Sequence, residues 1–94
     1  MTEPEKKALL RKAIETFGVD SQIGMLQEEC AEAIQAVNKV RRGQRGAVDH
    51  LCEEVADVLI MCEQMKVALP EATIEFYYNE KLERLRKAVD DGKD

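Results

Sequence analysis

Residues 48–70, VDHLCEEVADVLIMCEQMKVALP, decide the fold. Val55, Ala56, Val58, Leu59, Ile60, Met61 and Cys62 follow almost in succession, and Pro70 ends the segment. A helix from about Val48 to Leu69 is apolar nearly all round, so it must be buried on most sides. A chain of 94 residues offers few surfaces to cover it. Domains of this size bury only about 60–65% of their unfolded surface. Part of this helix is therefore expected to pack against a second subunit.

Three further helices flank it. The first is expected over about Pro4–Phe17, with Thr2 and Glu5 at capping-box spacing and Gly18 as a stop. The second begins near Asp20 or Ser21, either able to cap it, and ends near Arg42 before the loop Gly43-Gln44-Arg45-Gly46. The fourth spans about Glu71–Asp90. No strand alternation, repeat or low-complexity segment interrupts them. Short connections make successive helices antiparallel neighbours, so the expected fold is all-α. It is a four-helix antiparallel bundle protomer, one domain over residues 1–94.

Composition narrows the class. The chain is 45% hydrophobic and 35% charged, with four Met, two Phe, two Tyr and no Trp, which suits an aliphatic helical core. A net charge of −5 argues against nucleic acid as partner, because a phosphate backbone needs a basic face. No segment approaches the roughly 18 apolar residues of a membrane span, and residues 1–12 lack the apolar run of a secretory leader. Cys30, Cys52 and Cys62 are odd in number and show no CxxC spacing, and each sits in an apolar helical pattern. Reduced, buried thiols in a cytoplasmic protein are expected.

The acidic residues carry the chemistry. Helix two contains Glu28-Glu29-Cys30-Ala31-Glu32 and helix three contains Glu53-Glu54-Val55-Ala56-Asp57. At 100° per residue, Glu29 and Glu32 lie about 60° apart on one side of their helix, and Glu54 and Asp57 repeat the arrangement. Glu28 and Glu53 point elsewhere. Ile23, Leu26, Cys30, Ala33, Val37 and Val40 form the expected core face of helix two. Beside it runs the strip Gln22, Met25, Glu29, Glu32, Ala36, matched on helix three by His50, Glu54, Asp57, Met61, Gln64, Ala68. Antiparallel helices meeting along these strips would bring four carboxylates together. Two like charges about 5 Å apart repel by roughly 3 kcal/mol at an effective dielectric of about 20. Such a group needs protonation or a cation, and Mg²⁺ prefers oxygen ligands and keeps room for substrate phosphates. A solvated acidic face is the competing reading. A di-iron bundle would want Glu-x-x-His on two helices, and no Glu precedes His50 by three. His50 reads as a polar helix-start residue.

The order E-E-x-x-E, a spacer, then E-x-x-D, set in QEECAEAIQAVNKV and EEVADVLIMCEQM, resembles the MazG-like all-α nucleotide pyrophosphohydrolase superfamily. The likeness covers about residues 20–88, and the surrounding phrases resemble small single-domain members of bacterial and phage type. It implies a four-helix protomer packed into a homodimer or a dimer of dimers (a homotetramer) that uses Mg²⁺, with Mn²⁺ as a substitute. The implied reaction converts a nucleoside triphosphate to its monophosphate and pyrophosphate, in the manner of nucleotide-pool house-cleaning enzymes. The family's metal ligands fall on Glu29, Glu32, Glu54 and Asp57, and a phosphate-contacting basic residue on Lys81.

Around that site, Glu29 is the chosen catalytic base, with a water activated by the ion as its equal rival. Lys81 and Arg84 share a strip of helix four and are candidates for phosphate contact, while Gln22 could meet the base. Arg41, Arg42 and Arg45 cluster at the loop between the metal helices, where cations suit a helix C-terminus without further function. The alternative from another class is a non-catalytic helical dimer, an interaction or regulatory module that keeps a metal site. The long insertions and second domain of larger family members are absent, which leaves the base and sugar open.

Overall fold

The computed structural model describes residues 1–92. Among them are four α-helices and no strand: α1 Glu3–Phe17, α2 Val19–Arg41, α3 Ala47–Ala68 and α4 Glu71–Asp90. The expected boundaries hold to within about two residues. Thr2 caps α1 through its side chain, which accepts from the Glu5 backbone N–H at 3.2 Å, while the Glu5 carboxylate accepts from the Thr2 N–H at 3.2 Å. The start of α2 differs from expectation. Neither Asp20 nor Ser21 caps it, because Gly18 alone joins α1 to α2 and serves as cap to both. A one-residue link demands an unusual backbone, and Gly18 supplies it at φ 88°. Gly43 and Gly46, both with positive φ, turn the chain between α2 and α3. Leu69, extended before Pro70, separates α3 from α4.

The hairpin of α2 and α3 is the body of the fold, and α1 lies mainly against α3. Leu10 seals α1 onto it, and Lys6 reaches Glu63 of α3 at 3.1 Å. That surface ion pair contributes little to stability. The buried residues of α2 and α3 are Gln22, Ala36, Ala47, Glu54, Met61, Gln64 and Met65. The seam thus runs along the strips that carry the carboxylates. The apolar face expected to be the core of α2 flanks the seam instead: Ile23, Cys30 and Val37 are exposed. All three cysteines are exposed, against the expectation of buried thiols. The cause is helical phase. Cys52 and Cys62 belong with Val48, Val55 and Leu59 to a stripe at spacings of four and three that faces away from α2.

Helix α4 corrects the picture of a closed bundle. It touches only α3, has no buried residue, and leaves Phe76, Tyr78, Leu82, Leu85 and Val89 exposed. The radius of gyration is 16.1 Å, against about 12 Å for a compact domain of this length. None of the described helices is long and apolar enough to cross a membrane.

A solitary 20-residue helix is marginal in water, and stripes of this kind need cover. Sedimentation equilibrium at micromolar concentration should therefore show a dimer or larger species with no substantial monomer. Leu59→Glu, which sets a charge in the α3 stripe 57% exposed in one chain, should shift that equilibrium towards monomer. A compact wild-type monomer would contradict the assignment.

Candidate metal and phosphate site

The α2–α3 seam brings carboxylates together where the chain could have kept them apart. Oxygens of Glu29, Glu54 and Asp57 lie within 4.8 Å of one another. Glu54 is only 6% exposed, and Glu29 and Asp57 are half-buried. Helix geometry explains the placement. Glu54 and Asp57 are one turn apart on the face of α3 that meets α2, and Glu29 projects from α2 onto the same seam. Glu32, one turn along α2, is exposed and stands beside this trio without joining it at that distance. Glu28 and Glu53 point to solvent, as their phase requires.

Electrostatics mark the group. The Glu29 carboxyl is held above the ordinary glutamate range, first by its removal from water, then by the charges of Asp57, Glu32 and Glu54 and by a hydrogen bond with Asp57. Glu54 is raised by burial first, then by Glu32 and Asp57, while His50 pulls it down. His50 Nε2 lies 3.3 Å from Glu54 Oε1. The other oxygen of Glu54 and one of Glu29 are buried with no hydrogen-bond partner. Orphaned carboxylate oxygens in a common focus are what a hard divalent cation satisfies, and an all-oxygen donor set suits Mg²⁺ or Mn²⁺ rather than zinc. The residues present fit the ion.

Other expected residues fall less neatly. Gln22 is buried in the first turn of α2, about two turns from Glu29. Lys81 and Arg84 lie exposed on α4 and line no cavity with the carboxylates of their own chain, because α4 does not fold back over α2. A cavity of about 220 Å³ opens beside the trio, walled by Glu32, Gln35, Ala36, Lys39, His50 and Glu54. Gln35, Lys39 and the role of His50 were not anticipated from the sequence. The signal for Lys39 was available: the acidic strip Glu29, Glu32, Ala36 continues to it at the next turn. A larger hollow of about 480 Å³ between α1 and α3 is lined by Lys6, Leu10, Glu63 and Lys66 among others, and contains none of the clustered carboxylates.

The raised carboxyls bind protons more tightly in the folded chain than in the unfolded one. Between the ordinary glutamate value and the raised ones, unfolding releases protons, so stability falls as pH rises through that window. Glu5, held low by the Thr2 side chain, loses its contribution only below the ordinary value and does not mask the effect. Denaturant unfolding in a chelator should thus show the metal-free protein gaining stability from neutral to mildly acidic pH. In Glu54→Gln the gain should shrink. An unchanged pH profile would show that Glu54 is not under strain.

The family model of the MazG nucleotide pyrophosphohydrolase domain matches residues 17–86, which include the whole α2–α3 hairpin and most of α4. Searches of curated proteins and of solved structures gave no match. With the seam carboxylates set in a match that spans well over half its length, this chain belongs to the MazG nucleotide pyrophosphohydrolase domain family.

Proposed function

We propose that the chain hydrolyses a nucleoside triphosphate between its α and β phosphates, releasing the monophosphate and pyrophosphate, at a Mg²⁺ site made by Glu29, Glu32, Glu54 and Asp57. The observation that carries this is the pair of buried, unpartnered oxygens on Glu29 and Glu54 within a three-carboxylate focus. When bound, Mg²⁺ would neutralise the carboxylates and polarise the phosphoryl oxygens. Mn²⁺, with the same preference for oxygen, would substitute.

The chain's own residues divide the remaining work. Glu29, at the edge of the seam with one oxygen free, holds the attacking water and accepts its proton. Glu54 and Asp57, one turn apart on α3, fix the site's position. Glu32 is exposed and completes the donor set from one turn along α2. Lys81 and Arg84 reach phosphates only when α4 of a second copy brings them, so assembly into a homodimer or homotetramer and activity are linked. A non-catalytic interaction module is the second reading, favoured by the exposed apolar stripes of α3 and α4. Turnover separates the two.

Pyrophosphate release with Mg²⁺ should be measured over a panel of canonical and modified nucleoside triphosphates, which also identifies the base and tests a house-cleaning role. Glu29→Gln and Glu54→Gln should lower turnover by about 100-fold or more, beyond the ~10–100-fold that follows loss of an outer partner of a metal site. Glu28→Gln and Glu53→Gln, whose side chains are exposed, should keep most of it. Equal losses at all four positions would contradict the assigned helical phase.

A further inference from the structure

The cavity beside the carboxylates has a composition that the metal does not explain. Its floor is Ala36, 1% exposed, and its walls pair the acidic Glu32 and Glu54 with Lys39, Gln35 and His50. Lys39 makes no ion pair with either glutamate or with any other described residue. On the other side of the trio the seam is filled by buried Gln22, Met61, Gln64 and Met65. Space next to the carboxylates therefore opens towards the α2–α3 loop. That end of the hairpin also carries exposed Arg41, Arg42 and Arg45.

Size limits the occupant. At about 220 Å³ the cavity falls below the ~300–1,000 Å³ of sites that enclose a whole drug-sized ligand. It suits a compact, highly charged fragment. We propose that this cavity holds the leaving pyrophosphate, with Lys39 as its charge partner and the side chains of Gln35 and His50 as hydrogen-bonding walls, an assignment that rests on the metal site proposed above. In the reaction, water oxygen bonds to the α-phosphorus and the bond to the α–β bridging oxygen breaks. The electron pair leaves on the pyrophosphate and the water's proton passes to a carboxylate. Negative charge grows on the departing group, and a lysine one strip position beyond Glu32 and Ala36 meets it there. The nucleoside monophosphate then lies outside the cavity.

Lys39 also sits in the last turn of α2, where any cation complements the helix dipole. That role affects stability and leaves affinity for pyrophosphate unchanged, so binding discriminates between them. The experiment measures binding of inorganic pyrophosphate by calorimetry in the presence of Mg²⁺, and of Mg²⁺ alone, for the full chain and its Lys39→Gln, Lys39→Arg, Lys12→Gln and Glu54→Gln variants. Lys39→Gln should weaken pyrophosphate binding by about tenfold to a hundredfold, as expected for loss of a charge-assisted contact. It should leave the affinity for Mg²⁺ alone unchanged. Lys39→Arg should retain most of the affinity, and Lys12→Gln, on an exposed face of α1, all of it. Wild-type affinity for pyrophosphate in Lys39→Gln overturns the subsite while the metal site stands. The metal site fails separately if Glu54→Gln keeps wild-type turnover and Mg²⁺ binding.

Discussion

Mutual repulsion among carboxylates in the α2–α3 seam is the constraint on which the rest of this structure depends. A helical hairpin normally closes along apolar side chains, yet here the closing faces carry Glu29, Glu54 and Asp57 within 4.8 Å of one another. Burial raises the proton affinity of two of them and leaves an oxygen on each without a partner. A seam of this kind is less stable than an apolar one of the same shape unless something neutralises it. A divalent cation does so with the ligand chemistry that carboxylates offer. Repulsion relieved by an ion contributes to the hairpin's affinity for it, so binding and folding are linked.

The rest of the architecture follows from giving the seam to polar residues. With the acidic strips turned inwards, the apolar stripes of α2 and α3 are turned outwards, and Ile34 is left 64% exposed. Helix α4, with no buried residue, adds a further uncovered face. A single chain cannot bury both its acidic strip and its hydrophobic strips, because each helix has only one face towards its neighbour. Cover from a second copy would resolve this, and in the proposed assembly it would also bring Lys81 and Arg84 to carboxylates that their own chain keeps at a distance. Lys39 and His50, by contrast, stand beside the carboxylates within the hairpin.

The sequence made some of these features legible and concealed others. Helix ends were readable because Thr2, Gly18, the Gly43–Gly46 loop and Pro70 act locally on the backbone. The carboxylate focus was readable because i,i+3 spacing places side chains on one face whatever the partner. The core face of α2 was not. Ile23, Cys30 and Val37 make a convincing apolar stripe, and periodicity does not say whether such a stripe meets the same chain or another. Isolated packing of α4 was concealed for the same reason. The cap at Gly18 escaped notice because a one-residue link between helices looks, in sequence, like a stop followed by a polar start at Asp20 and Ser21. Lys39 continues the strip of Glu29, Glu32 and Ala36 and was legible there, but its place near a helix C-terminus gave its charge an ordinary explanation.

A paired thermal melt of the wild type and Asp57→Asn, with and without Mg²⁺ at fixed ionic strength, tests the central claim most directly. If the seam carboxylates hold the ion, Mg²⁺ at ~100 times its dissociation constant should stabilise the wild type by about 2.7 kcal/mol. In a domain of this size each kcal/mol raises Tm by roughly 4–8 °C, measured at one protein concentration because assembly also moves it. Asp57→Asn should be at least as stable as wild type without the ion, since one repulsive charge is gone, and should respond to Mg²⁺ much less. Identical responses of the two proteins would show that Asp57 is not a ligand and that the seam is not the metal site.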